Sequence, residues 1–162
     1  MSDRFCAYIR IGGPLPRRRV PELLKAVVNA NASFEWGDCC LQPTTEAELL
    51  QARHKGKIYL CDAEARYGEF PELEQACQTL GLAYTRCSEG KYEYDALVVD
   101  WRPGMKKPLV RVGSSSSEAT YVPVAKVKKV LHHLEAGQVR KAKEMLRTLC
   151  SEIPRLPVFK IV

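Results

Sequence analysis

The side chains in this sequence best placed to do chemistry are cations. Lys126, Lys128, Lys129, His133, Arg140, Lys141, Lys143 and Arg147 gather near its C-terminal end with only Glu135 and Glu144 among them, and Lys106, Lys107 and Arg111 precede them. Such a group attracts phosphates or carboxylates, because release of condensed counterions favours contact with any polyanion. The charge balance agrees. Residues 1–101 hold 12 Lys and Arg against 15 Asp and Glu, whereas residues 102–162 hold 13 against 4, so the net charge of +6 belongs to the C-terminal part. A separate cationic run, Arg17, Arg18 and Arg19, stands just before an expected helix start, where backbone amides and the helix dipole both favour an anion.

The carboxylates offer less. Asp62, Glu64, Asp95 and Asp100 stand near expected strand ends and could hold a divalent cation for phosphodiester chemistry, but nothing in their spacing fixes a mutual geometry. Asp62, Glu64 and Glu69 also make the loop over residues 62–70 acidic where its counterpart over 12–20 is basic, which suggests docking of one loop on the other between two copies of the chain. His132 and His133 are neighbours on one helix, and His54 falls on a surface segment. None of them has a serine or cysteine partner at an interpretable spacing. Gly113 and the serines at 114–117 lack the lysine of a phosphate-binding loop and read as a hairpin tip. The seven cysteines form an odd set without a C-x-x-C pair, so neither a disulfide framework nor a zinc site is indicated. Cys61 and Cys77 fall at core positions, and adjacent Cys39 and Cys40 would point to opposite faces of a strand.

The elements that must position these groups follow from periodicity. Phe5, Ala7, Ile9 and Ile11 alternate with Cys6, Tyr8 and Arg10, the period of a strand, which Gly12-Gly13-Pro14 is expected to end. A helix from about Pro21 buries Leu23, Leu24, Val27 and Val28, and a short strand over residues 33–36 closes the unit. Val20-Pro21-Glu22-Leu23, Ala26 and Phe34 then recur 50 residues later as Phe70-Pro71-Glu72-Leu73, Ala76 and Tyr84. This spacing predicts a second copy of the same β-α-β unit: a strand over 57–62, a helix from about Phe70 stopped by Gly81, and a strand over 82–87. Thr45-x-x-Glu48 is a capping box for a helix over 45–55 with Gly56 as its stop, and residues 92–101 read as a further strand.

Beyond Pro103-Gly104, a hairpin over 109–112 and 119–122 leads to two helices. One, from Pro123, carries Val124, Val127, Leu131 and Leu134 on an expected buried face and ends at Gly137. The other, over 138–150, buries Val139, Ala142, Leu146 and Leu149. Pro154 and Pro157 isolate a last strand over 158–162. Gly137, Ala142 and Pro154 stand at the spacing of the turn glycine, small residue and proline of a tetratricopeptide repeat. That resemblance implies a helical hairpin and nothing more, since Lys126, Lys129 and His133 depart from the family's pattern.

The expected fold is therefore α+β: a mixed sheet of about six strands with two pseudo-repeated β-α-β units, about 5–41 and 55–101, within residues 1–122. Residues 123–162 add the basic helical hairpin and final strand, packed on the same domain. The expected setting is cytosolic, with no cofactor, no membrane span and no metal. The expected function is a non-enzymatic accessory protein that binds nucleic acid or another polyanion through Arg17, Arg18, Arg19, Lys106, Lys107, Arg111, Lys126, Lys129, His133, Arg140, Lys143 and Arg147. The alternatives are a protein-interaction adaptor using the hairpin or the paired loops, with an acidic protein or a second copy as partner, and a metal-dependent phosphodiesterase.

Overall fold

The computed structural model describes residues 3–37, 41–91, 93–114 and 119–162. Cys39, Cys40, Tyr92 and most of the serine run lie outside them. The first strand, β1 (Arg4–Leu15), buries Phe5, Ala7, Ile9 and Ile11 on one face, as the alternation predicts. It does not stop at Gly12-Gly13. A Cβ on Gly12 would collide with the carbonyl oxygen of Pro157, and Gly13 takes φ 118°, so these glycines admit a close neighbour instead of ending the strand. That neighbour is the last strand, β8 (Phe159–Ile161), which runs parallel to Gly13–Leu15.

Helix α1 (Val20–Asn29) follows a single 3-10 turn at Arg17–Arg19 and buries Val20, Leu23, Ala26 and Val27. Val28 is exposed, so its buried stripe is narrower than expected. Helix α2 (Glu46–Gln51) carries the predicted capping box: the Glu48 amide donates to Thr45 Oγ1 at 3.2 Å, and the Thr45 amide donates to Glu48 Oε2 at 3.1 Å. It ends before Gly56. Arg53–His54 instead forms a short strand, β2, joined to β3 (Lys57–Arg66) by Lys55 and Gly56 at φ 49° and 79°. Two successive left-handed residues are what a tight two-residue hairpin requires, so Gly56 turns a hairpin and stops no helix.

Beside this hairpin an expected strand is missing. β2 occupies the outer edge of β3 at Lys57 and Ile58, and the expected strand over 33–36 is reduced to one bridge between Ser33 and Cys61. The second unit has its full complement: β3, then α3 (Pro71–Leu80) ended by left-handed Gly81, then β4 (Ala83–Ser88). Both β3 and β4 run antiparallel to β1, which lies between them, so the unit is a split β-α-β. The exact repeat of two such units is thus not met, because the first has no closing strand. The sheet continues through β5 (Leu97–Trp101), β6 (Leu109–Gly113) and β7 (Thr120–Tyr121) in the order β2-β3-β1-β4-β5-β6-β7, with β8 on β1. Among the described residues eight strands replace the six expected, and the strand over 92–101 begins only at Leu97.

The core lies between one sheet face and α1 with α3, where Ile9, Ile11, Leu60, Tyr84 and Phe159 meet Leu23, Val27 and Leu73. Helices α4 (Val124–Glu135) and α5 (Val139–Leu149) turn at left-handed Gly137 and form the expected hairpin. Their main contact is with each other. No helix is long and apolar enough to cross a membrane among the described residues.

Substituting Gly12→Ala should force β8 away from β1 and lower stability by about 1–3 kcal/mol, the usual range for overpacking. Urea unfolding with amide exchange at Gly13 and Val162, which bond Val158 O and Leu15 O across this junction, checks it; unchanged protection there would contradict the close approach.

Candidate functional site

The hairpin departs most from expectation. On α4 the residues Val124, Val127, Leu131 and Leu134 fall on one side at helical spacing, as predicted, but that side is not buried. Val124 is 68% exposed, Val127 51%, Leu131 53% and Leu134 43%. On α5, Val139 and Leu146 are exposed too. What joins the two helices is narrower: Val130 and Ala142 are the buried residues of the pair, and the alanine permits close approach. The amphipathic pattern is real, and no element among the described residues comes to cover it.

Only some of the cations border this apolar surface: Lys128 lies one turn from Val124 and Leu131, and Lys143 one turn from Val139 and Leu146. Lys126, Lys129 and Lys141 line a cleft of about 560 Å³ between the helices together with Glu144, Met145, Thr148 and Leu149. Lys126, Thr148 and Leu149 also border a smaller cleft against β6 and β7, where Val110, Tyr121 and Val122 are exposed. Among the described residues no ion pair forms on either helix, so Lys126, Lys129, Arg140, Lys143 and Arg147 keep their charge unneutralised by Glu135 or Glu144. His133 Nδ1 lies 2.8 Å from Gln138 Oε1 across the turn.

The remaining cations are scattered in their partners. Arg17 pairs with Glu46 at 3.2 Å, and Arg19 makes a bidentate contact with Glu22 at 2.9 and 2.8 Å. Arg18, Lys106 and Lys107 are exposed. Arg111 turns inward, its Nη2 2.6 Å from Asp100 Oδ2. The acidic positions do not mirror the basic loop, because Asp62 and Glu64 belong to β3 itself, where Asp62 Oδ1 accepts the Glu64 amide at 2.8 Å. Glu69 stands 3.8 Å from Arg86.

Sequence reasoning missed the ionic network inside the sheet. Asp100, nearly sealed from water, accepts Thr85 Oγ1 at 2.7 Å and pairs with both Arg102 and Arg111. Arg102 also donates to the carbonyls of Tyr84 and Pro154. Burial pulls the Arg102 pKa down from the ordinary arginine value, and Asp100 opposes that shift. A second buried guanidinium, Arg86, lies 2.7 Å from Glu74. The sequence signal was Arg86, a charged residue at a core register of its strand, whereas Asp100 lies on the opposite face. Because Asp100 is so committed, it cannot join Asp62, Glu64 and Asp95 around a cation, and no three potential ligands converge among the described residues.

The described cysteines are free thiols, from exposed Cys150 to buried Cys61 and Cys77. Burial pushes the Cys61 thiol up to about 11 and raises Cys77 further. Comparison with known proteins returns nothing: no family model, no curated protein and no solved structure matches the chain.

Two measurements bear on this chemistry. Asp100→Asn strips a carboxylate from two guanidinium groups and should cost about 3–5 kcal/mol in urea unfolding, as for other broken buried pairs; a loss below about 1 kcal/mol would mean that water already compensates them. Since raised thiol pKa values keep buried Cys61 and Cys77 protonated at pH 8, iodoacetamide should label exposed Cys150 before either of them, and peptide mapping should find Cys61 and Cys77 modified only after unfolding.

Proposed function

We propose that this chain is a non-enzymatic binding protein whose C-terminal hairpin receives an acidic, amphipathic segment of another protein. The observation that carries this reading is the uncovered apolar stripe on α4 and α5. Fully burying a Val or Leu side chain is worth about 1.5–3 kcal/mol, so a stripe of this size left in water favours any partner that covers it. The flanking lysines select among such partners. Carboxylates on the rim of an incoming helix would meet Lys128 and Lys143, which steers encounter and fixes orientation, while its apolar side lies on Val127, Leu131 and Leu146.

A nucleic acid or another polyanion at the same hairpin would use the cations and leave the stripe wet. That difference separates the two readings. An acidic amphipathic model helix, with Leu and Glu in register, should bind the full chain, and a scrambled peptide of the same composition should not. Leu131→Asp, at an exposed position, should weaken that binding at least about tenfold in calorimetry. If heparin binds instead, indifferent to Leu131→Asp and lost on raising salt, the polyanion reading replaces this one.

A further inference from the structure

The sheet face turned away from α1 and α3 carries its own set of side chains at the β2–β3 edge. Residues opposite one another in antiparallel strands share a face. Arg10 pairs with Tyr59 and His54 with Lys57, which places these four on the side opposite Ile9 and Leu60. The rings associate there. Tyr8 and Tyr59 stack with centroids 5.4 Å apart and planes 26° from parallel, and His54 meets Tyr59 edge-on at 6.4 Å. Trp36, 48% exposed, lines a cavity of about 120 Å³ with Tyr8 and Tyr59, and Tyr59 is also a wall of a neighbouring cleft of about 490 Å³ beside Arg53 and His54.

Around these rings the charge is mainly positive. Arg53, Lys55 and Lys57 stand on the tight β2–β3 hairpin, and none makes an ion pair among the described residues. Lys57 Nζ donates only to the Lys55 carbonyl, at 3.4 Å. Against them, Glu35 lines the larger cleft and Glu89 the smaller. The exposed ring of Trp36 and the half-buried ring of Tyr59, bordered by cations, suit a ligand with flat rings strung on an anionic backbone. A duplex hides the faces of its bases, and a single strand does not.

We propose that this face binds single-stranded nucleic acid, with bases stacking on Tyr59 and Trp36 and backbone phosphates held by Lys55 and Lys57. The site is distinct from the hairpin and stands whether or not the hairpin takes a protein.

The test uses the full chain with labelled oligothymidine and oligouridine of about 15 nucleotides, within the range one small domain covers, and a duplex of equal length. Because Trp101 is buried and Trp36 is not, stacking should quench tryptophan emission as either single strand is added, and the duplex should compete poorly. The two oligomers distinguish DNA from RNA as the source. Tyr59→Ala should weaken anisotropy-measured affinity about fivefold or more, with Tyr59→Phe near the parent. Trp36→Ala, at an exposed position, should do likewise and covers the case in which Tyr59→Ala fails to fold. Lys55→Asn suits the left-handed turn and should reduce the log–log salt slope by about 0.7. Absence of binding at low salt overturns the proposal. So does equal competition by duplex, or binding that leaves emission unchanged and survives both ring substitutions.

Discussion

One strand holds the molecule together. β1 bonds to β3 along one edge and β4 along the other, and its last residues pass to β8. To do this it must present Ala7, Ile9 and Ile11 to the helices without exception, since a shift of one residue would turn every core side chain to the opposite face. It must also be bare at Gly12, where the backbone near Pro157 passes too close for any side chain. The rest of the fold follows from where these edges lead: β3 outward to a short hairpin, β4 onward to β5, β6 and β7, and the helices across the single face where β1 is apolar.

Farther along the sheet the constraint changes from apolar to ionic. Arg86 faces the helices beside Val99, and Thr85 shares the other face with Asp100. Guanidinium groups here take the place of aliphatic side chains, held by Glu74 on one face and Asp100 on the other. Such pairs add little net stability compared with a packed apolar core, but they forbid alternatives, because any register that separated Arg102 or Arg111 from Asp100 would leave a buried charge alone. Arg102 reaches the Pro154 carbonyl and so ties the segment after α5 to the strand before β6.

Local rules transferred well from the sequence. The Thr45–Glu48 capping box, left-handed Gly81 after α3, the turn at Gly137 and the final strand all stand where their residues predict them, since each depends on neighbours a few positions away. The α+β class was legible for the same reason. Most failures are nonlocal; the exception is Gly56, which turns a hairpin between neighbouring strands where a helix stop was expected. Gly12-Gly13 resembled a terminator because nothing nearby discloses that β8 needs the space. Ser33 begins what resembled a strand, but only one bridge to β3 forms. Most instructive is Leu131: periodicity states that it shares a side with Val124, Val127 and Leu134, and it says nothing about whether the fold has anything to lay over them. The cations of the candidate site were therefore visible, and the apolar surface that gives them meaning was assigned to the interior.

The path of β8 gives the helical hairpin an unusual mechanical status. Phe159 donates its amide to Gly56, Val162 to Leu15, and Arg17 to the Val162 carbonyl, so the strand that follows α5 is riveted both to the β2–β3 turn and to the end of β1. The other side of the hairpin leaves from β7 at the far edge. Helices α4 and α5 are consequently an arch with two footings, not a dangling arm. Anything that grips the arch pulls on a frame already fixed at both ends, which spares the entropy that a loose appendage would surrender on being seized.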